Sequence, residues 1–177
     1  MNQKNTVRLI LVLLLSLIIL LKISDSYDLI SGFIVFILLI FDLFESNHVN
    51  NTKSELIYYT SWILIVAITF SVRGNDILPF TPMFITLMIK SAVVVMYIIK
   101  YKSMRVTRTV LSKISLITLA AYIIELIINS THGLGSIMVF WIEISSLELI
   151  CILLIKKRRV GYVSSLLTDI WENQRQS

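Results

Sequence analysis

Charge is what this sequence has least of. Only 15% of its 177 residues are Asp, Glu, Lys or Arg, while 56% are hydrophobic; a soluble domain covers its surface with about 25% charged residues. Mean hydropathy is +0.85, so water is not the main solvent of this chain. Cysteine is nearly absent: Cys151 stands alone inside an apolar run. That excludes an internal disulfide and any Cys/His metal spacing, and leaves a small apolar packing residue. His48 and His132 fall in polar breaks, with no second His or Cys nearby to make a metal site. The two prolines, Pro79 and Pro82, stand at the start of one apolar run, where a missing N–H costs least, so they mark a boundary and not a kink. No G-x-S-x-G elbow, Walker loop or G-x-G-x-x-G occurs, which leaves a hydrolase, an ATPase or a nicotinamide enzyme without support. Internal repeats, low-complexity segments and linkers are absent as well.

What the chain does have is long apolar runs. Six stretches stand out, roughly 7–21, 28–44, 55–72, 78–99, 110–128 and 136–155. At 1.5 Å per residue each is about long enough to cross a hydrocarbon layer as a helix, the only open-chain structure that satisfies its own backbone in lipid. The sequence therefore predicts an all-α, polytopic membrane protein. Residues 1–155 form a six-helix transmembrane domain, and 156–177 a basic, amphipathic cytoplasmic tail. The run from Leu9 to Leu21, behind Lys4 and Arg8, also has the look of a signal peptide, but Ser24-Asp25-Ser26 is a poor cleavage site.

Orientation follows from the basic residues. With the N-terminus inside, the inner segments hold Lys4, Arg8, Lys53, Lys100, Lys102, Arg105, Arg108, Lys113, Lys156, Lys157, Arg158, Arg159 and Arg175, and the outer loops only Lys22 and Arg73. Both termini are thus expected in the cytoplasm, in the cell membrane. The net charge of +5 is a topology signal and not a nucleic-acid footprint, because the basic residues sit at the ends of apolar runs.

Ionisable residues within apolar runs are costly and so are candidates for function. Asp42 and Glu45 are three residues apart, on one helical face, and are the candidate metal ligands; the alternative is a pair of interfacial carboxylates in contact with water. Lys90, near the middle of the fourth run, matches the depth of Glu148 in the sixth, with Glu143 as a second partner. An intramembrane charge pair is one reading, and a lysine snorkelling to a headgroup or a wet cavity is the other. Glu125 and Glu143 lie toward the outer side as candidates for an ion path.

The segment LISGFIVFILLIFDLFESNHVNNTK, and more faintly IKSAVVVMYIIKYKSMRVTRTVLSKISLITLA, resembles the CDP-alcohol phosphatidyltransferases, above all bacterial phosphatidylglycerophosphate synthases. The resemblance implies a bundle of six transmembrane helices with cytoplasmic termini. The family's signature is D-x-x-D-G-x-x-A-R-x8-G-x3-D-x3-D. Its acidic residues hold divalent metals against the CDP pyrophosphate, and its last Asp is the base for the incoming alcohol. Asp42 matches the first Asp, and Glu45 replaces the second conservatively. Ser46, Val49, Asn50 and Tyr59 stand for the first Gly, the Ala, the Arg and the second Gly, and Ile63 and Ala67 stand where the third and fourth Asp belong. Asn5-Thr6-Val7-Arg8 is similar to the family's N-x-x-T-x-x-R opening with shortened spacings. Magnesium on a pyrophosphate needs several hard oxygen ligands, and an alcohol needs a proton acceptor to attack phosphorus. Both sets are depleted here.

The expected function is therefore that of a non-catalytic relative, which binds membrane lipids, a nucleotide fragment, another membrane protein or a second copy of itself and needs no cofactor. One alternative is a divergent phosphatidyltransferase of phospholipid biosynthesis, using magnesium or manganese with CDP-diacylglycerol and glycerol 3-phosphate. Another is a small transporter or channel lined by Glu125, Glu143, Glu148 and Lys90.

After the sixth run, Lys156, Lys157, Arg158 and Arg159 precede Tyr162, Val163, Leu166, Leu167, Ile170 and Trp171. That spacing puts the apolar side chains on one helical face. Basic clusters gain about 1 kcal/mol per charge on an anionic leaflet, so this tail is expected to lie on the inner surface. In Trp62→Phe/Trp141→Phe protein the emission of Trp171 shifts to the blue on anionic vesicles; emission indifferent to lipid charge would contradict this.

Overall fold

A computed structural model of the chain describes residues 3–21, 25–44, 52–73, 80–102, 106, 109–129 and 133–155. The described residues form six helices: α1 (Gln3–Leu21), α2 (Asp25–Phe44), α3 (Thr52–Arg73), α4 (Phe80–Tyr101), α5 (Val110–Ile128) and α6 (Leu134–Ile155). No strand occurs among them. Each helix coincides with one of the apolar runs. The first three begin earlier than the runs do, and at α1 and α3 the added turns are tied together by Asn5 and Ser54.

Among the described residues, three helices are long and apolar enough to cross a membrane by length and composition: α2 from Tyr27, α5 and α6. Shorter apolar helical stretches among them are Asn5–Leu21 and Ile57–Val72.

Outward faces are as apolar as the core. Ile10, Leu13, Leu17 and Leu20 form an exposed stripe along α1, and Ile137, Phe140, Leu147 and Leu154 another along α6. In water such continuous patches would drive aggregation. Buried hydroxyls, by contrast, point inward at Ser31, Ser61, Thr69, Thr86, Ser115, Ser145 and Ser146, the usual arrangement of helices that associate in lipid. The chain has the build of a membrane protein.

Helix α5 is the hub, packing along α2 and α6 and touching α3; α1 lies on α2 and α3, and α4 on α6. Val12, Leu15, Val35, Leu38, Ile65, Ala120 and Ile123 make the largest core, between α1, α2, α3 and α5. A separate cluster of Val93, Tyr97, Val106, Leu149 and Leu153 joins α4 to α6. Helices α3 and α4 are not among the pairs that pack along one another.

Helix ends are closed by side chains. Thr109 and Ser112 cap the start of α5 reciprocally, each accepting from the other's backbone N–H at 3.0 Å. Asn129 ends it in the left-handed region, φ 56°. Lys100 donates to the carbonyl of Leu153 in the last turn of α6, where backbone carbonyls lack helical partners. Glu125 binds the start of α6: its carboxylate accepts from the backbone N–H of Gly133 at 2.8 Å and of Leu134 at 3.0 Å. A carboxylate there satisfies two orphan donors and meets the positive end of the helix dipole. Glu125→Ala is therefore expected to cost about 1–2 kcal/mol, measured as a fall in the unfolding midpoint in detergent, with Glu125→Gln milder; an unchanged midpoint would contradict the capping role.

Candidate functional site

Two polar knots stand inside the apolar bundle, and one cavity touches both. The first lies where α1 begins and α2 ends. Asn5 and Arg8 are three residues apart and so share a face of α1, and Ser54, Tyr58 and Trp62 recur every four residues along α3. Asn5 Nδ2 donates to Ser54 Oγ at 2.9 Å. Arg8 forms an ion pair with Asp42 Oδ1, and Trp62 Nε1 donates to Asp42 Oδ2 at 2.6 Å. The Arg8 guanidinium also lies over the Tyr58 ring, 4.9 Å from its centroid, a cation–π contact. Asp42 is left 5% exposed.

The second knot joins the middles of α4 and α6. Lys90 donates from Nζ to Ser145 Oγ, and Ser145 donates onward to Ser115 Oγ at 3.3 Å. Glu148, one turn beyond Ser145 on α6, is buried and within electrostatic reach of Lys90. Its Oε2 has no hydrogen-bond partner among the described residues. Glu143 faces outward on α6, exposed.

A cavity of about 620 Å³ runs between α3, α4, α5 and α6. Asp42, Tyr58, Trp62, Lys90, Lys113 and Ser115 are among its lining residues, and aliphatic side chains such as Ile63, Val66, Val94 and Leu119 make up much of the rest. Ile63 and Ala67, one turn apart on α3, both face it and are exposed.

Of the residues singled out from sequence, the structure thus gathers Asp42, Lys90, Ile63 and Ala67 around one cavity and brings Glu148 beside Lys90. Glu143 stands apart, and Glu125 is occupied at the start of α6. Glu45, Lys156, Lys157, Arg158, Arg159 and Trp171 lie outside the described residues. Sequence reasoning missed the anchors of each knot. From sequence Arg8 is a topology signal, although its place in the N-x-x-T-x-x-R-like opening points to more; Trp62 and Ser145 give no signal beyond a polar atom in an apolar run.

A divalent metal does not fit Asp42 as it stands. One carboxylate oxygen faces a guanidinium and the other accepts from an indole N–H, and a hard cation would have to displace both. Among the described residues no three His, Cys, Asp or Glu side chains come together. No protein-family model matches the chain, and neither a curated protein nor a solved structure matches it.

A buried charge that loses its partner is worse than a pair replaced by apolar groups. Asp42→Leu and Arg8→Met are each expected to cost about 3–5 kcal/mol, and the double variant clearly less than their sum. Unfolding of all four proteins in one detergent checks this; strictly additive losses would show that the two side chains are not coupled.

Proposed function

We propose that this chain is a non-catalytic relative of the CDP-alcohol phosphatidyltransferases. It crosses the cell membrane six times with both termini in the cytoplasm, and its cavity takes a membrane lipid. The observation that carries this reading is the condition of Asp42. In the resembled enzymes the matching residue holds metal, whereas here Arg8 and Trp62 occupy both of its oxygens. Support comes also from Ile63 and Ala67, which stand in the places of two signature carboxylates and line the same cavity. An apolar wall there favours hydrocarbon over a nucleotide and its counter-ions. The inward-facing serines and the exposed apolar stripes are in keeping with a lipid-embedded bundle.

A transferase needs both an electrophile held by metal and a base for the alcohol. The loss of a general base alone costs about 10²- to 10⁴-fold, and loss of the metal clamp adds to it. With CDP-diacylglycerol, glycerol 3-phosphate and abundant magnesium or manganese, the purified protein is therefore expected to release CMP at background rate. The same holds for a variant carrying Ile63→Asp and Ala67→Asp as long as Asp42 stays bound to Arg8. Metal-dependent CMP release by the unaltered chain, abolished by Asp42→Ala, would overturn this reading in favour of a divergent enzyme.

A further inference from the structure

The cavity's second knot has chemistry that lipid binding in general does not use. Lys90 is midway along the 22-residue α4, and Ser145 midway along the 22-residue α6, itself long and apolar enough to span. Their contact therefore falls near mid-depth, far from any headgroup layer. An ammonium carries three donors, and among the described residues Lys90 spends one, on Ser145. Lys90 lines the cavity, and unmet donors in apolar surroundings call for an acceptor.

Charge decides what kind of acceptor. Glu148 lies within electrostatic reach of Lys90, so lysine and glutamate together are already neutral. A carboxylate or phosphate arriving there would leave a net negative charge at mid-membrane, which is costly. An uncharged oxygen would not. Ile63, Ala67, Met88 and Val95 line the cavity from α3 and α4 and are exposed, which gives it an apolar lateral face, while Ser112 and Lys113 line it near the start of α5. Among the described residues α3 and α4 do not pack along each other, so a hydrocarbon chain can enter from the side.

We infer that the Lys90–Ser145–Ser115 knot is a mid-membrane binding site for an uncharged lipid, whose hydroxyl or carbonyl oxygen accepts from Lys90 while its chain fills the apolar cavity. This rests on the membrane-embedded, lipid-binding reading given above and goes further by fixing the head-group chemistry. Phospholipid heads are excluded by depth and fatty-acid carboxylates by charge.

Trp62 borders the cavity and reports on it once Trp141→Phe and Trp171→Phe remove the other two of the chain's three tryptophans. Protein in phosphatidylcholine nanodiscs is titrated with three probes that share one dibrominated hydrocarbon chain and differ in head: an alcohol, a carboxylic acid and a phosphatidylcholine. The alcohol is expected to quench saturably, at a mole fraction roughly five-fold lower than the other two, the scale of one net hydrogen bond. Lys90→Met should raise its half-quenching mole fraction by a similar factor. Ala67→Phe, which narrows the mouth without touching the knot, should abolish saturation, and both variants are checked for native helicity and monodispersity. Stronger quenching by the acid, no effect of Lys90→Met in folded protein, or no saturation at all would overturn the inference. Saturable quenching by the phosphatidylcholine chain at the same mole fraction would also overturn it while leaving lipid binding intact, whereas CMP release would remove the reading beneath it.

Discussion

A charged side chain inside an apolar bundle must be neutralised where it stands, and that constraint governs how these helices can meet. Removing an ion from water costs several kcal/mol, regained only by a partner in good geometry. Arg8, Asp42, Lys90 and Glu148 are the charges at issue. Arg8 with Asp42 fixes α1 against α2, and Trp62 brings α3 to the same carboxylate. Lys90 ties α4 to α6 through Ser145. With apolar side chains on both their inner and outer faces, the helices gain little orientation from hydrophobicity, since lipid is as apolar as the core. Polar contacts therefore set which face of each helix turns inward, and close packing around Leu15, Leu38, Ile123 and Leu149 follows from that choice.

The same constraint separates a structural carboxylate from a chemical one. A metal ligand must keep its oxygens free for a cation and its water shell, yet Asp42 has given one to a guanidinium and the other to an indole. Its position in the chain is that of an active-site residue in the resembled enzymes, and its surroundings are those of a tie between helices. In the relationship proposed above, the absence of carboxylates at Ile63 and Ala67 and the pairing of Asp42 with Arg8 fit together: without a metal to balance it, a lone buried carboxylate needs an internal cation.

The all-helical fold was legible in the sequence because long apolar runs leave few other options. The six helices of the described residues coincide with apolar runs, and Thr109 with Ser112 is a cap that local chemistry dictates. The partners of Asn5 and Arg8 were not legible, since hydropathy averages over a window and does not register a contact to another helix. At the site, depth matching points from Lys90 to Glu148, but spacing carries no information about helix rotation. That Ser145 takes the hydrogen bond, that Glu143 faces out, and that Glu125 turns back to hold α6 are consequences of rotation and loop closure. The pairing of Arg8 with Asp42 crosses two helices, and only the N-x-x-T-x-x-R-like opening hinted at it.

Native mass spectrometry of protein extracted in mild detergent, with magnesium or manganese and CMP added, separates the proposed lipid site, built on a neutralised carboxylate, from a metal–nucleotide site. The chain is expected to retain lipid through detergent exchange and to carry neither divalent metal nor nucleotide above the level seen with Asp42→Asn. Stoichiometric retention of metal together with CMP, lost in Asp42→Asn, would contradict it.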